Sequence, residues 1–422
     1  MKCPSLSQCN IDIRRYLQQS RITVTKFIAI FFCILTALLI LYYFLFDQTD
    51  PQSTVVYINN YYNNISSSSQ LTLPPDYSFL NNIKDKFKPD YVIRTSDKSQ
   101  KPTCIIIIRT ADGAIGNRMF LFASAYGLAR LHQCDLYIAP WILTDLRSVF
   151  TINLQDTPIH LITKDSILKQ PGLYGRYSSC TLFDDLLKVP LKSNLTFYEM
   201  IGFYQAFGYF IKYKDEITYL FQFNQGSIIN NVPLVEQLLK AVWNIPLNLG
   251  IYTKDNVTHK YLKLLLTQPP SPLIPVTWIA IHIRRGDFLT FFKIDTSVEY
   301  LNYAMNYYRR KYINCRFLIA SDDKDYAQKN LANNSDIFIT PKSFFSGDDL
   351  AALALCEHTI VTAGSYGWWA AWLAGGNVLH DLTYPVPSQN CIREHYFPPW
   401  FVFPHNKPNI TQKFNSSNSS QS

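Results

Sequence analysis

Apolar positions along the chain fall into a few distinct patterns. Residues 27–46, FIAIFFCILTALLILYYFLF, run for twenty positions without a charge. At about 1.5 Å rise per residue, that run crosses the ~30 Å hydrocarbon layer of a bilayer as one helix. A cleaved signal would have a shorter apolar stretch followed by small residues. Here bulky YYFLF and then DQTD follow, which predicts a retained anchor. Further on come short apolar runs rich in β-branched residues: TCIIIIRT at 103–110, VTWIAIHIRR at 276–285, RFLIAS at 316–321 and HTIVT at 358–362. Runs of this length predict strands of a parallel sheet, buried on both faces. Three of them lead through a short loop into a helical segment: RMFLFASAYGLARLHQ after ADGAIGN, KDYAQKNL after Asp322 and Asp323, and the stretch from Tyr366 after Gly364 and Ser365. PLVEQLLKAVWNI at 233–245 is amphipathic and predicts a further helix. The aromatic-rich FYEMIGFYQAFGYFIKY at 197–213 reads as core packing, although aromatic faces also suit sugar rings.

Charge and composition set the organisation. Arg14, Arg15, Arg21 and Lys26 precede the apolar run and Asp47 and Asp50 follow it, which places the N-terminus in the cytosol and the rest across the membrane. Residues 1–26 are then a cytoplasmic tail, 27–46 the anchor and 47–100 a polar stem rich in Asn and Ser and broken by Pro74 and Pro75. The prolines of QPPSPLIP, 268–275, suggest a boundary between a lobe at 101–270 and a second at 271–395, with 396–422 as a tail. Asn-X-Ser/Thr sequons begin at Asn64, Asn194, Asn256, Asn333, Asn409, Asn415 and Asn418, all beyond the anchor. Six of the nine cysteines also lie there, enough for up to three disulfides, and none has CxxC spacing. A net charge of +8 spread over 422 residues, without a basic stripe, argues against a nucleic-acid partner.

The chemistry gathers at strand ends. Strand residues alternate faces, so Ala280, His282 and Arg284 share one side of their strand and Ile279, Ile281, Ile283 and Arg285 the other. Gly286 ends the strand, and Asp287 sits on the turn. In open α/β sheets ligands bind at the carboxyl ends of strands. Arginine keeps its proton and grips phosphate with a fork of donors, so a pair there suits a diphosphate. Asp322 and Asp323 end a second strand, where aspartate caps a helix or accepts bonds from a ribose or a base. Gly364 and Ser365 open a third helix, offering a hydroxyl and free N–H groups to an anion.

HIRRGDF (282–288), GAIGNRMFLFASAYGLA (113–129), ASDD (320–323) and DDLAALALCEHTIVTAGSYGWWAAWLAGG (348–376) together resemble the ordered motifs of the galactoside alpha-1,2-fucosyltransferases, over roughly residues 104–385. The resemblance implies an α/β, GT-B-like fold of two Rossmann-like lobes behind one N-terminal transmembrane helix and a stem, in a type II Golgi membrane protein. It implies inverting transfer of L-fucose from GDP-fucose to a galactose-terminated glycan. By motif match Arg284 would hold the β-phosphate. His282 and Asp322 or Asp323 would seat the nucleotide. Gly364, Ser365 and Tyr366 would approach phosphate, and Asn117 would reach the cleft from the other lobe. Two positions depart from the usual pattern, Arg118 in GNRMF and Tyr366 in the Tyr-Gly-Trp-Trp run, and both touch acceptor recognition. Protein O-fucosyltransferases and enzymes adding alpha-1,6-fucose share the arginine motif, and a sugar-binding protein without turnover is the reading from another class.

Inversion needs a carboxylate to take the acceptor's proton. Asp287 is the nearest candidate, although pairing with arginine would occupy it, and Asp295 and Glu299 stand behind it. Asp323-Lys324-Asp325 has the spacing of a Mn²⁺-holding Asp-X-Asp, and Mn²⁺-type ions favour such oxygen ligands. No metal is expected, because the arginine pair already supplies the positive charge and would repel a cation held close by.

Overall fold

The computed structural model describes residues 104–402, apart from 156, 164–172, 189–196, 246–256, 270–272, 333 and 389. The anchor, the stem and the asparagines that begin the seven sequons lie outside the described residues. Among the described residues no helix is long and apolar enough to cross a membrane.

Two parallel sheets carry the chain. The first contains β1 (Ile105–Ile108), β2 (Asp135–Ile138), β3 (Ile159–Leu161), β4 (Leu173–Ser178) and β5 (Phe197–Gly202), in the order β3-β2-β1-β5-β4. The second contains β6 (Thr277–Ile283), β7 (Cys315–Ser321), β8 (Ile337–Ile339), β9 (His358–Val361), β10 (Val378–His380) and β11 (Phe401–Val402), in the order β11-β10-β9-β6-β7-β8. Counted from β6, that second order is the doubly wound arrangement of dinucleotide-binding sheets. Its chain reverses direction of travel across the sheet between β6 and β9, and in such folds ligands settle outside the strand ends at that point.

β6 shows why the sequence forms this sheet. It is flanked by β7 and β9 and needs apolar groups on both faces. Ile279, Ile281 and Ile283 pack with Leu301, Met305 and Tyr308 of the helix α3 (Val298–Lys311), while Trp278 and Ala280 join the larger core on the other side. The alternation read from the sequence is therefore the alternation observed.

Two helices with little polar surface join the sheets. α1 (Ile115–His132) and α6 (Gly364–Ala374) are buried over most of their length and lie against each other. Phe120 of α1 packs 4.5 Å from Trp368 and 5.1 Å from Trp369, centroid to centroid, and the Trp369 indole donates to the Gly116 carbonyl at 3.1 Å. Such pairs add about 1 kcal/mol each beyond the area they bury.

The proline stretch does not divide the core. α2 (Gln225–Trp243) starts eight residues before the predicted helix and runs through Pro233. Asn231 on it donates to the Asp348 carbonyl at 3.0 Å, in α5 (Ser346–Ala354) of the second half. The helix His259–Thr267 also packs there: Trp278 donates to Leu266 O at 3.0 Å and Lys263 to Ala374 O at 2.9 Å. Prolines mark where backbone donors are missing, which punctuates the chain without deciding which core a helix joins. The second sheet also continues past residue 395, because β11 pairs with β10, and Tyr396, Phe397 and Phe401 are buried. A two-residue strand has no period to read. Disulfides join Cys104 to Cys134 and Cys180 to Cys391, while Cys315 and Cys356 are buried thiols.

Candidate active site

A cleft of ≈ 1110 Å³ opens at the carboxyl ends of the two sheets, lined from one side by residues around Asn117 and from the other by Arg284, Asp322 and Ser365. This lies just above the ~300–1,000 Å³ of ordinary ligand pockets.

Arg284 stands at the switch point. Its backbone N–H donates to the Thr362 hydroxyl at 2.9 Å, tying the end of β6 to the end of β9. Its guanidinium reaches Asp322 Oδ2 at 2.7 Å through Nη1 and Asp287 Oδ1 at 2.5 Å through Nη2, and lies over the Phe288 ring at 5.4 Å. Both carboxylates line the cleft with it. Arg285, expected beside it at the diphosphate, points elsewhere and does not line the cleft. Its guanidinium stacks 3.5 Å over Tyr326 and donates to Asp295 at 2.6 Å and Asp323 at 3.2 Å. Consecutive strand positions face opposite ways, so the two arginines part, one towards ligand space and one into a brace between loops.

Asp322 accepts from the Arg285 backbone N–H at 2.9 Å as well as from Arg284, which fixes the β7 end against the β6 end. Asp323 is a helix cap: its Oδ1 accepts from the Tyr326 N–H at 3.0 Å at the start of α4 (Lys324–Leu331). Asp325 pairs with Lys342. Each carboxylate of the Asp-X-Asp is thus engaged by a protein donor. The fallback bases are not grouped with Asp287: Asp295 is held by Arg285, and Glu299 lies in the first turn of α3.

His282 lines the cleft yet is 4% exposed, and its Nδ1 is buried without a partner. Burial lowers its pKa to about 3, with Arg284 and His380 adding to the effect. It is therefore a neutral imidazole at physiological pH. Its ring lies 5.0 Å from that of Tyr366.

The first sheet contributes Asn117 and Gln205 to the opposite wall, where they meet the start of α6. Gly364 opens α6 with φ +82°, a conformation that side chains rarely adopt, and Ser365 follows. The Ser365 hydroxyl donates to Asn117 Oδ1, which also accepts from Gln205 Nε2 at 2.9 Å. Asn117 and Ser365 both line the cleft and meet there. Gln205 went unnoticed in the sequence because it lies inside the aromatic run 197–213. Its one signal there is that it is polar among rings. Thr362 likewise gives no sequence signal, since its role depends on which strand lies next to β6. Arg118 pairs with Asp145 at 2.6 Å, both on the cleft wall.

Buried histidines make the fold acid-sensitive. His380, wholly buried, has its pKa lowered to about 4 by burial, alongside His282 at about 3. Unfolded histidine titrates near 6.5, so below that pH the unfolded chain takes up protons that these two cannot. Their contribution is complete above pH ~6.5 and fades as the pH falls to about 4. The slope is at most about 1.4 kcal/mol per pH unit for each. Asp349 and Glu357, raised by burial, act in the opposite sense. Thermal denaturation should show a melting temperature falling steadily from pH 6.5 to pH 4.5. A flat profile over that window would contradict the neutral imidazoles.

Residues 272–401 match the model of glycosyl transferase family 11, the span from β6 to β11 that holds Arg284 and Ser365. That stretch is similar to the glycosyltransferases of that family. The relatives the chain matches are galactoside alpha-1,2-fucosyltransferases. Galactoside alpha-(1,2)-fucosyltransferase 1 of Sus scrofa is 23% identical over 295 residues, 67% of this chain and 69% of the relative. The alpha-(1,2)-fucosyltransferase 2 of Pongo pygmaeus is 31% identical over 148 residues, 32% and 41% of the two chains. Among solved structures, the fucosyltransferase NodZ from Bradyrhizobium aligns over 64% of this chain and 93% of its own, at 12% identity and a TM-score of 0.39.

Proposed function

We propose that the chain transfers L-fucose from GDP-fucose to the 2-hydroxyl of a terminal galactose, with inversion. Its sheets act as the two lobes of a GT-B-like enzyme, and residues 27–46 hold it in the Golgi membrane with the catalytic part in the lumen. The observation that carries the reading is Arg284, placed at the switch point of a doubly wound sheet and facing the cleft beside the start of α6.

In the transfer the acceptor oxygen bonds to the fucose anomeric carbon as the bond from that carbon to the β-phosphate oxygen breaks. The electron pair leaves with GDP, and negative charge builds on the phosphate. Arg284 and the N–H groups at the start of α6 meet that charge without having to reorganise, and one such donor is worth ~3 kcal/mol. Neutral His282 and Asp322 seat the nucleotide. The acceptor proton goes to Asp287, on the same cleft wall. A diphosphate competes with Asp287 for Nη2 of Arg284 and so frees the carboxylate to act.

No metal is assigned a part, because Asp323 caps a helix and binds Arg285 while Asp325 binds Lys342. The experiment is to incubate the full chain in detergent with GDP-fucose and a panel of β-galactosides, with and without excess EDTA, and to determine the product linkage. Alpha-1,2-linked fucose at equal rates in both arms is expected. A different linkage refutes the acceptor, and activity lost to EDTA but restored by Mn²⁺ refutes the arginine-based mechanism.

A further inference from the structure

Just beyond Arg284 the chain makes a π-helical turn, Phe288–Phe292, closed by Lys293 in the left-handed region at φ 54°. Phe288 turns inward. It is 8% exposed, with its ring 5.4 Å from the Arg284 guanidinium and 5.3 Å from Tyr384. Phe292 packs on Phe288 at 4.9 Å, yet it is 57% exposed and lines the cleft. Arg284, Phe288 and Phe292 thus form a row of contacts leading outward from the phosphate anchor. Lining the cleft, the ring offers an apolar face to whatever binds there. The cleft wall beside it carries Asp287, an acceptor for hydroxyl protons.

We propose that Phe292 is the platform on which the acceptor galactose stacks, making it a specificity-determining residue. This rests on the fucosyltransferase reading above. Galactose has one face of C–H groups and a rim of hydroxyls, which matches an aromatic ring flanked by a carboxylate. The fucose being transferred fills the space next to Arg284, so the sugar receiving it lies one ring further out, over Phe292. Phe291 is the internal control: it belongs to the same turn and is 81% exposed, but it does not line the cleft.

The test uses the full chain in detergent with methyl β-galactoside as probe. Phe292→Ala should raise the KM for the galactoside roughly tenfold and leave the KM for GDP-fucose unchanged, because about 1.4 kcal/mol of ring contact is lost. Phe292→Tyr should restore it, and Phe291→Ala should match the wild type. Saturation-transfer NMR without donor should show a galactoside signal in the wild type that is lost in Phe292→Ala. An unchanged acceptor KM and signal in Phe292→Ala overturn the proposal. So does an equal rise in the donor KM, which would mean that the turn under Arg284 had collapsed. Absence of a galactoside signal in the wild type overturns it too. Wild-type protein that binds the galactoside but transfers no fucose sinks the fucosyltransferase reading instead, and the NMR comparison still decides Phe292.

Discussion

Arg284→Lys is expected to lower turnover by ~10²-fold or more while the protein stays folded, by analogy with removal of one preorganised donor. The substitution keeps the charge and removes the fork. In the structure the two terminal nitrogens serve two different carboxylates at once, Asp322 at 2.7 Å and Asp287 at 2.5 Å, with the plane over Phe288. A lysine ammonium is a point charge on a flexible stem and cannot hold both directions or stack in that way. The loss should appear in kcat more than in nucleotide affinity, because phosphate charge grows as the bond breaks. Arg285→Lys should differ in kind: its stacking on Tyr326 and its bonds to Asp295 and Asp323 are braces, so stability should fall more than turnover. Near-normal turnover in Arg284→Lys would remove the leaving-group role from this residue.

Gly116→Ala should be almost as damaging to activity, although Gly116 carries no functional group. A Cβ there would come within 2.7 Å of the Tyr366 backbone nitrogen and 2.9 Å of the Ser365 carbonyl carbon. Backbone atoms cannot swing aside as a long side chain can, so α1 and α6 must move apart. Overpacking of this sort costs about 1–3 kcal/mol, which should appear as a fall of a few degrees in melting temperature. The same movement displaces Ser365 from Asn117 and shifts the helix start beside Arg284. Misplacement of about 1 Å at a reacting centre can cost ~10²-fold. Steady-state kinetics and thermal denaturation of the variant together decide the matter: wild-type kcat would mean that this close approach does not position the site.

How far the site was legible follows from what each residue depends on. His282, Arg284 and Asp287 stand within six positions of one another around a strand end, and the period of two assigns their directions locally. Asp323 could be read as a cap because capping needs only the next three residues. Arg285 was legible in direction, through the same alternation, and illegible in partners, which come from α4 and from Asp295. Gln205, Thr362 and Phe292 were not legible as site residues. Each owes its place to a neighbour far away in sequence or to a single turn that has no periodic signal.

The sequence by itself determined the apolar β-branched runs that become β1, β6, β7 and β9, the glycines and hydroxyls at the starts of α1 and α6, and the arginine motif at a strand's carboxyl end. These depend on local sterics and on side-chain periodicity, which act over a few residues. Tertiary structure decided which strand lies beside β6, that the helices before the prolines pack with the second sheet, and which groups Arg285 braces. Those outcomes come from burying apolar faces against whichever partners fit. Burial free energy depends on area removed from water and carries no record of distance along the chain.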